Sequence, residues 1–387
     1  MAKRPIFEDA AAPKAAAQAG PQTGSRPARS GGIEAPSGAR RAIRLWLGVL
    51  FVMVMAMIAV GGLTRLTDSG LSITEWKPLT GALPPMNDAD WQAEFDLYQQ
   101  IDQFHLMNAD MTLSEFKSIY WWEWSHRQLG RAVGVVWALG FLAFLALRKI
   151  PAGWTGRLLV PGILGGVQGA IGWWMVSSGV TQGEGVTTVA SYRLATHLGL
   201  AFVILGVIAW YMFLLGRPEA QLLQARRSRE AKLFSLGTGL MHFAFLQIIL
   251  GALVAGIDAG RGYTDWPLMG GSVLPPAMWE LSPVWRNLFE NDGTVQFIHR
   301  VSGYLLFVFG VIAWNRGRRS SYARTRMAFH WVLGALTAQI VLGIVTVMHG
   351  APLELGIAHQ FMAVILWVLI IRARYLAQYP LGGTIRG

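Results

Sequence analysis

The chain contains no cysteine. That excludes disulfides, iron–sulfur clusters and thiolate chemistry, so any metal has to be held by histidine, methionine or carboxylate. Charge is scarce too: 14% of the 387 residues are Asp, Glu, Lys or Arg, where a soluble domain carries about 25%. Apolar residues fill the gap. They make up 53% of the chain and recur in runs of roughly 20, the length that crosses a bilayer core as a helix. This is the composition of an integral membrane protein. The formal charge of +11 would suit nucleic acid, but Lys and Arg cluster in alternate loops, which is a mark of membrane topology.

Eight spans are expected, at about 43–64, 127–147, 158–178, 194–215, 233–257, 297–315, 327–348 and 356–373. Between them, 148–157 carries Arg148, Lys149 and Arg157. Residues 216–232 carry Arg217, Arg226, Arg227, Arg229 and Lys232, and 316–326 carries Arg316, Arg318, Arg319, Arg324 and Arg326. These segments and both basic termini are expected on the cytoplasmic side. The outer loops differ: 65–125 holds ten acids against three bases, and 258–296 holds Trp266, Trp279 and Trp285 with more acids than bases. Residues 1–41, rich in Ala, Pro, Gly, Ser and Arg, read as a disordered basic arm. The apolar stretch Leu45 to Leu63 is too long for a cleaved signal, and Glu8 and Asp9 oppose a mitochondrial transit peptide. A bacterial inner membrane is the expected location.

The second half of the chain repeats the first. His126-Arg127 with Gly130 is matched by His299-Arg300 with Gly303, and His197 by His359, each at the outer start of an even-numbered span. Gln-x-x-x-Gly occurs at Gln168/Gly172, Gln247/Gly251 and Gln339/Gly343. The loops after spans one and five both run from a Thr-acid-Trp triplet (74–76, 264–266) to Leu-Pro-Pro (83–85, 274–276). The expected fold is therefore all-α: eight transmembrane helices in two tandem four-helix bundles, related by a pseudo-two-fold axis along the membrane normal. Its parts would be the arm 1–41, an N-terminal half 42–216 including the outer loop 65–125, a basic linker 217–232, a C-terminal half 233–375 and a cytoplasmic tail 376–387.

Two histidines at matching depth on two helices of each half form the arrangement that clamps an iron porphyrin from both faces. Gly130 and Gly303, one turn after their histidines, would let a macrocycle approach the backbone, and Arg127 and Arg300 are placed to pair with its propionates. His105, His242, His330 and His349 read as structural or solvated, and Met53, Met55 and Met57 as packing or lipid-facing. One position breaks the symmetry: Glu123 stands where the second half has Gln296. Glu123 shares a helix face with His126, where a carboxylate could accept a proton or stabilise a cation. Gln296 cannot do so by ionisation.

Glu-x-x-His-Arg at 123–127, His299-Arg300, His197, His359, Gly-Gly-Leu-Thr-Arg at 61–65, Trp-Lys-Pro at 76–78 and Leu-Pro-Pro at 83–85 together resemble haem A synthase over roughly residues 43–375. The absence of cysteine resembles its alphaproteobacterial and mitochondrial-type branch. The resemblance implies an oxidoreductase that converts a methyl group of haem O to the formyl of haem A by successive hydroxylations, for use in cytochrome oxidase. It implies a haem b held by His299 and His359 in the C-terminal half, substrate haem on His126 and His197, and Glu123 as the catalytic carboxylate. It also implies haem O synthase and oxidase assembly factors as partners, and a homo-oligomer is compatible with it. A quinol-linked dihaem b-type electron-transfer cytochrome would use the same four histidines but would have no use for Glu123. A repeat-built transporter would need interrupted spans at the midplane.

Overall fold

The computed structural model describes residues 37–382, and every regular element among the described residues is helical. Besides two short 3-10 turns (Thr80–Ala82 and Val284–Arg286), these are in chain order α1 (Ser37–Leu66), α2 (Asp88–Tyr98), α3 (Asp102–Met107), α4 (Leu113–Ala146), α5 (Thr155–Val176), α6 (Ser191–Leu215), α7 (Glu219–Arg227), α8 (Ala231–Gly256), α9 (Asn287–Glu290), α10 (Asp292–Gly317), α11 (Ala323–Met348) and α12 (Leu353–Gln378). Eight of them, α1, α4, α5, α6, α8, α10, α11 and α12, are long and apolar enough to cross a membrane. They coincide with the eight expected spans, and the protein is a multi-pass membrane protein.

The boundaries depart from expectation where a helix outruns the bilayer. With 34 residues α4 is about 51 Å long, against a hydrocarbon core of about 30 Å. Its first turns therefore stand outside the membrane, started by a capping box between Thr112 and Glu115. The apolar pattern from residue 127 marks membrane entry, not the start of the helix. Residues 37–41 of the expected arm already belong to α1, and 1–36 lie outside the described residues. The linker 217–232 contains α7, and α12 continues to Gln378, into the expected tail.

The long outer loop is itself folded. Trp91, Phe95 and Tyr98 of α2, Phe104 of α3, and Phe116 and Tyr120 of α4 form a buried aromatic cluster with Leu71, Ile73, Val176 and Val189. Trp91 meets Tyr120 edge-on at 5.0 Å, and Phe95 lies 5.0 Å from Phe116. Such pairs contribute about 0.5–1.5 kcal/mol each beyond the area they bury. The cluster fixes the segment around Ser72 and Ile73 against the outer part of α4, which bears on the site described below.

In the membrane α1 and α5 each pack against α4 and α6, and α8 and α11 each pack against α10 and α12. The two sets meet where α6 touches α8 and α12, and α1 touches α12. α6 is the most enclosed of the eight spans. Across this junction Trp367 Nε1 donates to the carbonyl of Phe202 (2.9 Å), and Gln360 Nε2 to that of Ile58 (2.5 Å). Arg65 pairs with both Asp68 (2.9 Å) and Asp258 (2.7 Å). These aspartates follow α1 and α8 at equivalent turns and share a left-handed backbone, with φ of 51° and 54°, which Asp tolerates better than most residues.

The basic segments converge at one end. Arg40 donates to the carbonyl of Arg217, Arg217 Nη1 to that of Tyr379 (2.8 Å), and the Glu230 N–H to that of Ala377 (3.0 Å). Ser320, between α10 and α11, donates to Glu230 (2.6 Å).

At the opposite end Asp102 accepts the backbone N–H groups of Gly183 (2.9 Å), Glu184 (2.9 Å) and Gly185 (2.7 Å), tying the α5–α6 turn to α3. These donors, that of Gly183 foremost, hold the Asp102 carboxyl below the usual carboxylate range. A depressed folded-state pKa means the latch stabilises above the unfolded value of about 3.9 and is lost as pH falls through the folded value. Asp102→Asn is predicted to speed proteolytic nicking between residues 181 and 186 at neutral pH, as wild type does only in stronger acid. Equal nicking of both proteins at neutral pH would show that the latch does not hold the turn.

Candidate functional site

His126 on α4 and His197 on α6 face each other, with ring centroids 6.5 Å apart and planes inclined by 65°. Two imidazoles sharing one metal through bonds of about 2 Å stand with centroids roughly 6 Å apart, so this pair has the spacing for a single shared ion. No group of three or more His, Cys, Asp or Glu side chains gathers among the described residues. A metal with only two protein ligands draws the others from elsewhere, and an iron porphyrin supplies four in its plane. The donor set therefore fits a haem. His197, His299 and His359 lie in the second turns of α6, α10 and α12, close to where the sequence pattern puts them. His126 lies several turns into α4, at the membrane end of the helix's outer extension.

Three of the four imidazoles share one kind of seat, built on the span that precedes their own. For His197 the seat is on α5: Gln168 Nε2 donates to the His197 carbonyl (3.0 Å) and lies 3.2 Å from its Nδ1. For His299 it is on α8, where Gln247 Nε2 is 2.9 Å from the carbonyl and 3.1 and 3.4 Å from the two ring nitrogens. For His359 it is on α11, where Gln339 Nε2 is 3.1 Å from the carbonyl and 3.3 Å from both ring nitrogens. An atom nearly equidistant from both nitrogens lies over the ring face, because in the plane it would overlap a ring carbon. For His299 and His359 the amide thus lies over the ring and leaves the in-plane lone pair open to a metal, while Gln168 meets His197 at Nδ1 alone.

The glycine of each motif completes the seat. A Cβ at Gly172, Gly251 or Gly343 would stand 2.9, 3.0 or 2.8 Å from Cε1 of His197, His299 or His359. Only a bare backbone admits the ring. Gln-x-x-x-Gly is plain in the sequence, but its pairing with a histidine on the next span appears only in three dimensions.

His126 is the exception. Its seat on α1 keeps the glycine, since a Cβ at Gly61 would lie 3.1 Å from His126 Nε2. The glutamine position, however, is Met57. Gly130 and Gly303, expected to make room for a macrocycle, open instead onto this seat. A Cβ at Gly130 would meet Met57 Cε at 3.7 Å, and one at Gly303 would meet Gln247 Nε2 at 3.3 Å.

Glu123 is buried with both oxygens engaged. Its Oε2 accepts from Ser72 Oγ (2.8 Å) and the Ile73 N–H (2.8 Å), and its Oε1 from Arg127 Nε (3.1 Å) and Nη2 (2.6 Å). Arg127 also donates to the carbonyls of Ile73 (2.7 Å) and Glu75 (3.0 Å). The second half copies the frame without the charge. Arg300 donates to the carbonyls of Tyr263 (2.8 Å), Asp265 (2.9 Å) and Leu268 (3.0 Å) and to Gln296 Oε1 (3.3 Å), while Gln296 Nε2 donates to Tyr263 (3.1 Å). The guanidinium forks expected to face propionates are thus turned largely to loop carbonyls. A guanidinium has five N–H groups; Arg300 keeps its buried Nε–H unpartnered, and Arg127 keeps one Nη1–H.

The remaining histidines lie apart from this arrangement. His242 and His349 donate to Thr238 and Val345 of their own helices, His330 accepts from Trp314 Nε1, and His105 packs on Phe104. The seats yield a prediction. Gly172→Ala and Gly251→Ala are each expected to displace the facing imidazole and cut bound porphyrin per polypeptide, read from the Soret band of purified protein, by about tenfold or more. Gly334→Ala on α11, which faces open space, should leave the band unchanged. Full pigment in both seat variants would contradict the assignment.

Comparison with known proteins gives the family. The model of the cytochrome oxidase assembly protein family, COX15-CtaA, matches residues 44–371. Heme A synthase of Ruegeria sp. (strain TM1040) is 66% identical over 387 residues, covering 100% of both chains. Heme A synthase of Ruegeria pomeroyi is 64% identical, covering 100% of this chain and 99% of the other, and that of Paracoccus denitrificans is 62% identical over 389 residues with the same coverage. With matches that run the length of the chain and a motif set that includes the facing pair His126 and His197, the protein belongs to the COX15-CtaA family of haem A synthases.

Proposed function

We propose that the protein oxidises a methyl group of haem O to the formyl group of haem A, and that this happens in the N-terminal half, 42–216. The observation that carries the reading is the His126–His197 pair, at the spacing for one shared iron, beside the carboxylate of Glu123. His126 and His197 bind the substrate iron from opposite faces and set the porphyrin's depth. The Ser72–Glu75 segment, fastened to α4 by Glu123 and Arg127, closes the outer side of the site and excludes water. Glu123 lies one turn before His126 on the same face of α4. Its negative charge, held between Arg127 and the Ser72–Ile73 segment, stabilises cationic character at the porphyrin periphery, and when one of its four donors lets go the carboxylate takes a proton released as the methyl is hydroxylated. Each hydroxylation replaces one C–H bond of the methyl by C–OH and withdraws two electrons to an external oxidant, and the geminal diol formed by the second loses water to become the formyl.

In the C-terminal half, 233–375, His299 and His359 would hold a haem b, and the unpartnered Nε–H of Arg300 would be available to a propionate. When bound, this haem supplies electron transfer. Gln296 keeps the loop frame of the first half without an ionisable group, as befits a site that holds a cofactor and performs no bond chemistry. The linker 217–232 joins the halves, which we relate by a two-fold axis along the membrane normal; the matching helix neighbours and loop contacts support this. The basic segments, gathered at one end of the helices, and both termini lie in the cytoplasm, with the chain in a bacterial inner membrane. Haem O synthase and oxidase assembly factors are the partners that this role requires.

Two experiments test the reading. Glu123→Gln, which gives the first half the residue of the second, is predicted to lower haem A formation by about 10²-fold or more, with haem O accumulating and the protein still in the membrane. Normal haem A content in that variant would favour an electron-transfer cytochrome instead. His299→Ala is predicted to strip the tightly held haem b from purified protein, read as a pyridine haemochrome, and retention of that pigment would overturn the assignment of the C-terminal half.

A further inference from the structure

We infer that Met57 and Leu129 make the first imidazole seat a loose one, so that porphyrin held by His126 exchanges while porphyrin held by His299 stays. The inference rests on the haem reading above and goes beyond it by naming what separates a substrate site from a cofactor site. In the C-terminal half the seat is a polar chain of three members. Ser302 Oγ donates to Gln247 Oε1 (2.5 Å), and the Gln247 amide lies over the His299 ring. The amide is therefore fixed at both ends, and the ring is fixed by the amide.

In the N-terminal half both supporting members are apolar. Met57 stands in the place of Gln247, opposite Gly130 as Gln247 stands opposite Gly303. Leu129, three residues after His126, stands in the place of Ser302, three residues after His299. Changing the two together is physically consistent, since a glutamine here without its hydroxyl would leave a buried amide oxygen unsatisfied. That is what Gln168 Oε1 and Gln339 Oε1 already show.

The His126 ring sits differently as a result. It turns its Nε2 and Cδ2 edge towards Gly61, whereas the other three rings turn Cε1 towards their glycines. Groups that orient a metal-bound imidazole change metal affinity by about 10–100-fold. A porphyrin between His126 and His197 thus has one pinned ligand, which keeps its position, and one unpinned ligand, which can let go. A substrate has to enter and a product has to leave, so one releasable ligand in that half is what turnover needs.

The test uses the full chain in detergent, loaded with haemin as the probe, with haem loss to excess apomyoglobin followed optically. Wild type should lose haem in a fast phase, removed by His126→Ala, and a slow phase, removed by His299→Ala. Met57→Gln with Leu129→Ser should slow the fast phase about tenfold or more, and Gln247→Met with Ser302→Leu should speed the slow phase by a similar factor. Met57→Leu, which fills the seat without an amide, should follow wild type. The inference is overturned if both double variants stay within about twofold of wild type, or if Met57→Leu slows loss as much as the amide variant. A wild type that takes up no haemin in either half would instead remove the haem reading itself, and this inference with it.

Discussion

The site depends on how an imidazole is held at a helix–helix contact inside a membrane. A loose ring would sample rotamers incompatible with a shared metal. The protein solves this three times with the same two residues. A glycine lets the ring approach the neighbouring backbone, and a glutamine one turn earlier on that helix bonds the histidine's own carbonyl and, for His299 and His359, lays its amide over the ring. The seat and the histidine always belong to adjacent spans, so helix packing and ligand geometry are one constraint.

The outer loops extend the same logic beyond the bilayer. Arg127 and Arg300 gather carbonyls from equivalent segments, 73–75 and 263–268, and each is bonded to the residue four positions earlier on its own helix. In one half that residue is a carboxylate with four hydrogen bonds, and in the other a neutral amide. Because the frame is common to both halves, the difference between Glu123 and Gln296 is chemical and not architectural. The aromatic cluster under α2 and α3 gives Ser72 and Ile73 a rigid base, so the carboxylate is positioned by a folded unit and not by a free loop.

Much of this was legible in the sequence. The eight spans, the four histidines, the repeat and the Glu123/Gln296 asymmetry all follow from hydropathy and motif spacing, because apolar length and short motifs are local properties. Other features were not legible, for physical reasons. The extension of α4 was hidden because residues 113–126 are polar and aromatic, and their helicity depends on a capping box and on packing against α2. The spacing of Gly130 and Gly303 points to a macrocycle because spacing shows which face a residue occupies, not which side chain fills the space opposite. Gln168, Gln247 and Gln339 were visible as a motif without a purpose. The fourth seat, Met57 with Gly61, was hidden by the very substitution that distinguishes it, and could have been found only by aligning span one on span five through the shared Thr-acid-Trp loops.

Two porphyrins in two like but unequal cradles, one within each half, is the arrangement proposed for this chain. A cryo-electron microscopy map of the pigmented protein, at a resolution that separates porphyrin planes from side chains, tests it most directly. The account predicts one porphyrin between His126 and His197 and another between His299 and His359, the first at lower occupancy. A porphyrin bridging histidines of different halves, such as His197 with His299, or equal full occupancy with ligands other than these four, would contradict it.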